Sequence, residues 1–247
     1  MGYINVYGLT ITAFPSKDSD RYVVILTDRL GKIIVKFRSV RSSASKRSGY
    51  TGSFVYEKLQ LYKKGNTYIA TEIEMLNDFR NTKEEFPKML ILLYLQELLI
   101  LLLPYEEENL KVLELTIETL QFLNLIDQEY SQLALIYYMF HLLRLLGSPI
   151  NFPKKQPKAI YFSIENNGFN EISGFPVDKK LYEEALYLSK MDHPELIKLS
   201  KSKDIIYLLN YYIIQKFELD AYKKFLENIE NIENIDNIEN IKTLFAR

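Results

Sequence analysis

The chain has 247 residues, a formal net charge of -1, 47% hydrophobic and 26% charged residues, and no cysteine. That apolar content excludes a disordered polymer, and the length suits one large domain or two small ones with a substantial core. The lack of cysteine excludes disulfides, thiolate zinc sites and cysteine nucleophiles, and it fits a reducing, cytoplasmic setting.

The N-terminal run Tyr3 to Phe14 alternates polar and apolar residues without the basic leader and apolar core of a signal peptide. It reads as a strand, as does Arg21 to Thr27, both rich in Val, Ile, Thr and Tyr. Asp28, Arg29, Leu30 and Gly31 make a hairpin turn with glycine at the left-handed position, and Lys32 to Phe37 is the returning strand. Phe54 to Tyr62 and Thr67 to Met75 form a second pair around Lys63, Lys64, Gly65 and Asn66. Five strands with a polar, Ser-rich insert after the third match the layout of an OB-fold barrel; strand count alone also admits an SH3-like barrel.

After Phe79 the hydrophobic period becomes helical. Phe86 to Leu103 is apolar nearly all round and stops at Pro104, which describes a helix buried on most faces. Its most lipid-like part, Met89 to Leu103, is about 15 residues, shorter than a membrane span needs, and Gln96 and Glu97 interrupt it. No membrane association is expected. Glu106 to Leu125 places Leu110, Leu113, Ile117 and Leu120 on one face, and Gln132 to Leu146 is a third helix ending at Gly147 with Pro149 beyond. Residues 147–177 read as irregular, and Lys179 to Met191 and Asp204 to Phe225 as helices.

From Glu227 to Ile241 the triplet Glu/Asp-Asn-Ile repeats five times. At about 100° per residue, a three-residue period drifts by about 60° per repeat, so its isoleucines spiral around a helix and share no face. The expectation is a frayed helical extension or a disordered tail. The fold class is therefore α+β multidomain, an N-terminal OB-fold β-barrel followed by an all-α helical domain. The expected domains are 1–78, 79–226 with the irregular segment 147–177, and the low-complexity tail 227–247.

Charge is concentrated in the barrel. Residues 1–78 hold 12 basic and 7 acidic side chains, a net of +5, while the remainder holds 19 and 25, a net of -6. Arg29 to Tyr50 contains seven Lys or Arg residues and no acid. Such a field suits a polyanion, because each cation set against a phosphate releases a condensed counterion. Lys36, Arg38, Arg41, Lys46 and Arg47 are the candidate phosphate contacts, and Tyr50, between Gly49 and Gly52, is the candidate for stacking on a base. Phe37 either stacks or fills the core. The same pattern also describes a solvated loop beside a strand.

No motif for catalysis is present: there is no Gly-rich phosphate loop, no nucleophile elbow and no His-Glu-x-x-His. His141 and His193 are the only histidines and read as a packed helix residue and a helix-start residue. Acid pairs such as Glu84 and Glu85 occur where helix N-termini favour negative charge. No catalytic residue, cofactor or metal ligand is assigned.

Several motifs together resemble the RecO family of bacterial recombination mediators. Gly8, Leu9, Thr10 and Ile11 are followed by Ser19, Asp20 and Arg21 leading into Val23 to Thr27 and Gly31. Arg41 before Ser45 and Lys46 is similar to the family's basic segment, and Leu92 to Leu99 with Pro104 to its first long helix. Leu142 to Gly147 with Pro149 resembles a later helix end, and Tyr161, Phe162 and Ser163 the segment beyond it. The resemblance spans roughly residues 3–225 in order. It implies a non-enzymatic protein that binds single- and double-stranded DNA, anneals strands, engages the acidic C-terminal tail of the single-strand-binding protein, and joins RecR in loading recombinase. Two departures stand out. Many members carry a four-cysteine zinc site after the Leu-Leu-Gly-x-Pro segment, where this chain has Asn151 to Gln156, and Ser39 occupies a position where glycine is common. Without the metal, packing must hold that segment. The alternative reading from the residues is a helical interaction or scaffold protein whose basic barrel binds a protein or anionic lipid. An enzyme such as a nuclease would require clustered acids with a metal.

Without thiolates and with two separated histidines, a closed tetrahedral zinc site has no ligands of the usual kinds. Elemental analysis of dialysed protein is expected to find well under one zinc per chain.

Overall fold

The structure is a computed structural model that describes residues 2–15, 20–38, 51–153 and 159–233. They form two compact units: one runs up to Ile117 and resumes at Glu227, and the other is Glu118–Leu226.

Five strands build the first unit: β1 (Tyr3–Pro15), β2 (Arg21–Thr27), β3 (Gly31–Phe37), β4 (Tyr56–Lys64) and β5 (Thr67–Asn77). They close into a barrel in the order β1-β2-β3-β5-β4, antiparallel throughout except for the β3–β5 seam. This is the OB topology, and the parallel seam is what the long insert after β3 makes room for. Both expected hairpins are present, Arg21 opposite Phe37 in one and Tyr62 opposite Ile69 in the other. β1 bends at a bulge between Thr10 and Thr12, which lets one strand serve two neighbours. The interior is filled by Val6, Val23, Ile25, Ile33, Val35, Leu59 and Leu61. Phe37 belongs to this core with 1% of its surface exposed, so it fills the barrel and does not stack on a ligand.

One charged side chain shares that interior. Glu57 projects inward with Leu59 and Leu61, opposite Gly8, and has no exposed surface. Neither carboxylate oxygen has a hydrogen-bond partner among the described residues. Burial raises its pKa to about 8, so the neutral acid is the form the barrel accommodates.

Helix α1 (Phe86–Leu102) starts with Pro87 in its first turn and follows a 3-10 turn over Arg80–Lys83. Its C-terminus has no basic residue in the last turn, and the cap comes from the barrel. Lys32 of β3 is 1% exposed and donates to the carbonyls of Leu99 (3.2 Å) and Ile100 (2.6 Å). These are among the last four carbonyls of the helix, which have no partner within it. The same ammonium lies 4.5 Å from the Tyr105 ring centre, and the Lys32 carbonyl accepts from Glu106 N–H at 2.9 Å. Gly31 makes the approach possible. At φ 64°, a β-carbon there would lie 1.9 Å from the Glu107 carbonyl oxygen.

Helix α2 (Leu110–Leu125) spans the boundary between the units. In the second unit α3 (Ser131–Leu145) is the central element, with α4 (Lys179–Ser189) and α5 (Ser202–Phe217) packed on it. The end of α3 follows the sequence signature: Gly147 takes φ 73° and Ser148 N–H reaches back to the Leu143 carbonyl at 2.9 Å. Asp178 caps α4 by accepting from Leu181 N–H at 2.9 Å.

Two expectations are revised here. The segment read as irregular contains a small antiparallel sheet: β6 (Tyr161–Ser163), β7 (Gly168–Asn170) and β8 (Phe175–Pro176), in the order β7-β6-β8. Strands of two or three residues are too short to show a period in the sequence. The helix expected to run from Asp204 to Phe225 is two helices. Glu218 takes φ 53° and ends α5, and α6 (Asp220–Glu233) begins two residues later. No glycine or proline marks this break. The repeat begins within α6, where Ile229 is 1% exposed; its later copies lie outside the described residues.

Aromatic packing holds the segment that follows α3. Phe152 stacks on Phe169 at 4.9 Å and lies within 5.9 Å of Tyr182 and 6.1 Å of Phe140. Phe162 adds edge contacts to Phe169 and Tyr212. Asn151 ties the strand to β7, with its N–H on the Asn167 carbonyl and its carbonyl accepting from Phe169. An aromatic cluster of this size supplies the buried area and geometric order that a small loop-rich segment otherwise lacks.

Replacing Lys32 by Met leaves two helix carbonyls buried without a donor. The loss expected is about 1–3 kcal/mol, read as a lower denaturant midpoint at unchanged m-value. Glu57 gives the stability a pH signature. Below pH 4.5 folded and unfolded chains both hold its proton; between 4.5 and about 8 only the folded chain does. Stability from this group is thus complete at low pH and falls by about 1.4 kcal/mol per pH unit across that window. Glu57→Gln should remove that slope and stabilise the protein at pH 7.5, as measured by denaturation across pH.

Candidate nucleic-acid interface

The four described cations of the basic stretch, Arg29, Lys32, Lys36 and Arg38, are dispersed by the fold. Lys32 is the buried helix cap and is lost to any ligand. Arg29 sits on the β2–β3 turn, whereas Arg38 follows the far end of β3, about 20 Å away at strand spacing. Lys36 and Arg38 therefore mark one end of the barrel. Arg41, Lys46, Arg47 and Tyr50 lie outside the described residues.

Arg38 is exposed. Lys36 is half-buried and paired: its ammonium lies 2.9 Å from Asp20 Oδ2 and 5.8 Å from the Tyr22 ring centre. Its hydrogen bond to Asp20 holds its pKa above the ordinary lysine value, so it stays cationic, but a phosphate must compete with that carboxylate. Of the two described candidates, Arg38 is the more available.

The basic insert leaves and re-enters at the same end. It departs after Phe37, which pairs with Arg21, and returns at Thr51, whose hydroxyl accepts from Arg21 Nη1 at 2.7 Å. The returning chain is then fixed to β1. Thr10 Oγ1 donates to the Gly52 carbonyl, Val55 N–H donates to Thr10 Oγ1 at 2.8 Å, and Phe54 N–H donates to the Thr10 carbonyl at 2.7 Å. Phe54 is buried at φ 54°, a conformation unusual for a bulky residue, and Lys83 Nζ donates to its carbonyl at 3.2 Å. The loop thus springs from two rigid anchors bridged by Arg21. Charge-run reasoning passed over Arg21 because it lies before the run; its position opposite Phe37 in the hairpin register is the signal that finds it.

The two histidines, separate in sequence, join one polar network in the second unit. His193 Nδ1 lies 2.5 Å from Glu118 Oε1, and this hydrogen bond raises the His193 pKa. Tyr137 O–H lies 3.0 Å from Glu118 Oε2 and 3.1 Å from the Asp192 carbonyl. His141, stacked 4.1 Å from the Tyr137 ring, sets Nε2 2.7 Å from the Met191 carbonyl, and burial lowers its pKa. The network clasps residues 191–193 against α3. Among the described residues no group of three or more His, Asp or Glu side chains is placed to hold a metal ion. Among them, too, no helix is long and apolar enough to cross a membrane.

Comparison with known families matches this architecture. The model described as "Recombination protein O N terminal" matches residues 1–79, the barrel to its last strand, and "Recombination protein O C terminal" matches residues 83–154. The chain belongs to the RecO family. Proteins named DNA repair protein RecO are similar over most of its length. The Dehalococcoides mccartyi protein is 25% identical over 76% of this chain and 79% of its own. That of Clostridium perfringens is 27% identical over 85% of each, and that of Clostridium novyi 22% identical over 87% of this chain and 91% of its own. Membership places the chain in DNA repair and recombination. The family match ends just before the small sheet, so the aromatic cluster straddles its limit.

Proposed function

We propose that the chain is a DNA-binding recombination mediator that binds single- and double-stranded DNA, promotes strand annealing and assists recombinase loading. The observation that carries this reading is the double anchoring of the basic insert at one end of a closed OB barrel, with Arg21 bridging its two ends and Arg38 exposed beside it. Lys36, Arg38, Arg41, Lys46 and Arg47 neutralise backbone phosphates of two strands, lower their mutual repulsion and leave the bases free to pair; Tyr50 stacks on a base. Binding of this kind reads no sequence.

In this reading residues 1–78 carry the DNA, residues 79–226 supply partner surfaces, and residues 230–247 are dispensable for binding. The protein partners are RecR and the acidic C-terminal tail of the single-strand-binding protein, met in the cytoplasm. No step calls for a cofactor or a catalytic residue.

The test is the quintuple replacement of Lys36, Arg38, Arg41, Lys46 and Arg47 by Ala. Binding and annealing should weaken on unrelated sequences while the circular-dichroism spectrum stays unchanged. Each lost contact removes about 0.9 from the log–log salt slope on duplex and about 0.7 on single strands, so five remove roughly 3.5 to 4.5. A loss of two units still supports the reading. An unchanged slope in the folded variant overturns it in favour of a scaffold that binds protein or lipid.

A further inference from the structure

The outward faces of the barrel strands differ sharply. On β2 the outward Val24 and Leu26 are buried, and so is the outward Leu9 of β1. The first half of β1 is left open: Tyr3 is 65% and Tyr7 42% exposed, with Asn5 exposed between them. The neighbouring strand β4 presents Tyr56, Lys58, Gln60 and Tyr62 to the same side. The antiparallel register sets Tyr3 against Tyr62, Asn5 against Gln60, Tyr7 against Lys58 and Leu9 against Tyr56. Two tyrosine pairs result, separated by an amide rung. Tyr3 and Tyr62 have ring centres 5.8 Å apart, and Tyr7 and Tyr56 6.3 Å apart with planes 30° from parallel.

We propose that this β1–β4 stripe is a stacking track for the bases of single-stranded DNA, distinct from the phosphate contacts of the basic insert. The proposal rests on the DNA-binding reading and deepens it. Exposed tyrosine rings offer a π-face to any base, and their hydroxyls with the Asn5 and Gln60 amides offer groups for base edges. Lys58, exposed and opposite Tyr7, supplies a cation for the backbone, and Lys63 and Lys64 follow at the far end. Glu72 and Glu74 of β5 lie opposite Gln60 and Lys58, and repel phosphates on that flank. The strand is thereby held over β1 and β4.

Position supports the assignment. Tyr56 comes five residues after Thr51, where the basic insert returns to the barrel. From Tyr56 to Tyr62 the track extends about 20 Å at strand spacing. A duplex keeps its bases stacked inside and gains nothing from exposed rings, so the track selects single strands. For annealing, this displays one strand with its bases unstacked from each other.

The chain contains no tryptophan, so one introduced indole reports alone. Tyr7→Trp should be quenched when oligo-dT is added, whereas Tyr207→Trp, at a site 70% exposed in the second unit, should not. In fluorescence anisotropy, Tyr3→Ala with Tyr7→Ala should weaken oligo-dT binding at least tenfold. Binding to an abasic oligomer of equal length and to duplex should change less than twofold, at unchanged salt slope. Tyr3→Phe with Tyr7→Phe, which keeps the rings, should remain within threefold of the parent and shows that loss in the Ala variant reflects stacking. Equal oligo-dT affinity in the Ala variant, with no quenching in Tyr7→Trp, overturns the track while DNA binding by the parent stands. A concentration-dependent sedimentation change abolished by the Ala pair, at unaltered DNA affinity, assigns the stripe to a second copy of the chain and also overturns it. A parent protein that binds no DNA removes the wider reading and the track with it.

Discussion

The ammonium of Lys32, 1% exposed, joins the barrel to the helix that follows it. It satisfies the Leu99 and Ile100 carbonyls at the end of α1, and its own carbonyl takes the Glu106 N–H. A buried ammonium is costly unless its donors are met, and burial here lowers its pKa to about 8. Helix carbonyls carrying the negative end of the macrodipole meet that need. Gly31 makes the contact sterically possible, since any side chain there strikes the Glu107 backbone. The placement of α1, and with it the register of β3 against residues 105–107, depends on this pair of residues.

The same barrel holds a second buried charge group with the opposite character. Lys32 finds acceptors, whereas Glu57 finds none and is held as the neutral acid. Such a group contributes nothing to packing that Leu or Gln would not, and it costs stability near neutral pH. It sits opposite Gly8, where an added β-carbon would lie 2.6 Å from Ile25, so the barrel is tightly filled at that rung. Lys32, set against α1, and Glu57, inside the barrel, thus carry opposite pH responses.

The second unit solves a different problem. Its loop-rich segment has strands of two and three residues, too little ladder to hold a shape alone. Its Phe152, Phe162 and Phe169 meet Phe140 of α3, Tyr182 of α4 and Tyr212 of α5. Glu118 and the two histidines do the same for residues 191–193 with polar contacts. Both devices draw on residues far apart in sequence.

Local patterning alone determined much of this protein. Alternating Val, Ile and Tyr placed all five barrel strands within two residues of their ends, because a half-buried strand writes its period directly into the chain. Gly31, and Gly147 with Pro149, marked the first hairpin and the end of α3, since those backbone conformations admit few residues. The basic stretch was visible as charge, and so was the RecO resemblance. Which of those cations face a ligand was not, because burial depends on what packs opposite: Lys32 became a helix cap, Lys36 met Asp20, and Phe37 entered the core. The break at Glu218 carried no turn residue to announce it. The histidine network and the tyrosine stripe arise from cross-strand and interhelix register, a property of paired elements that no single stretch of sequence contains.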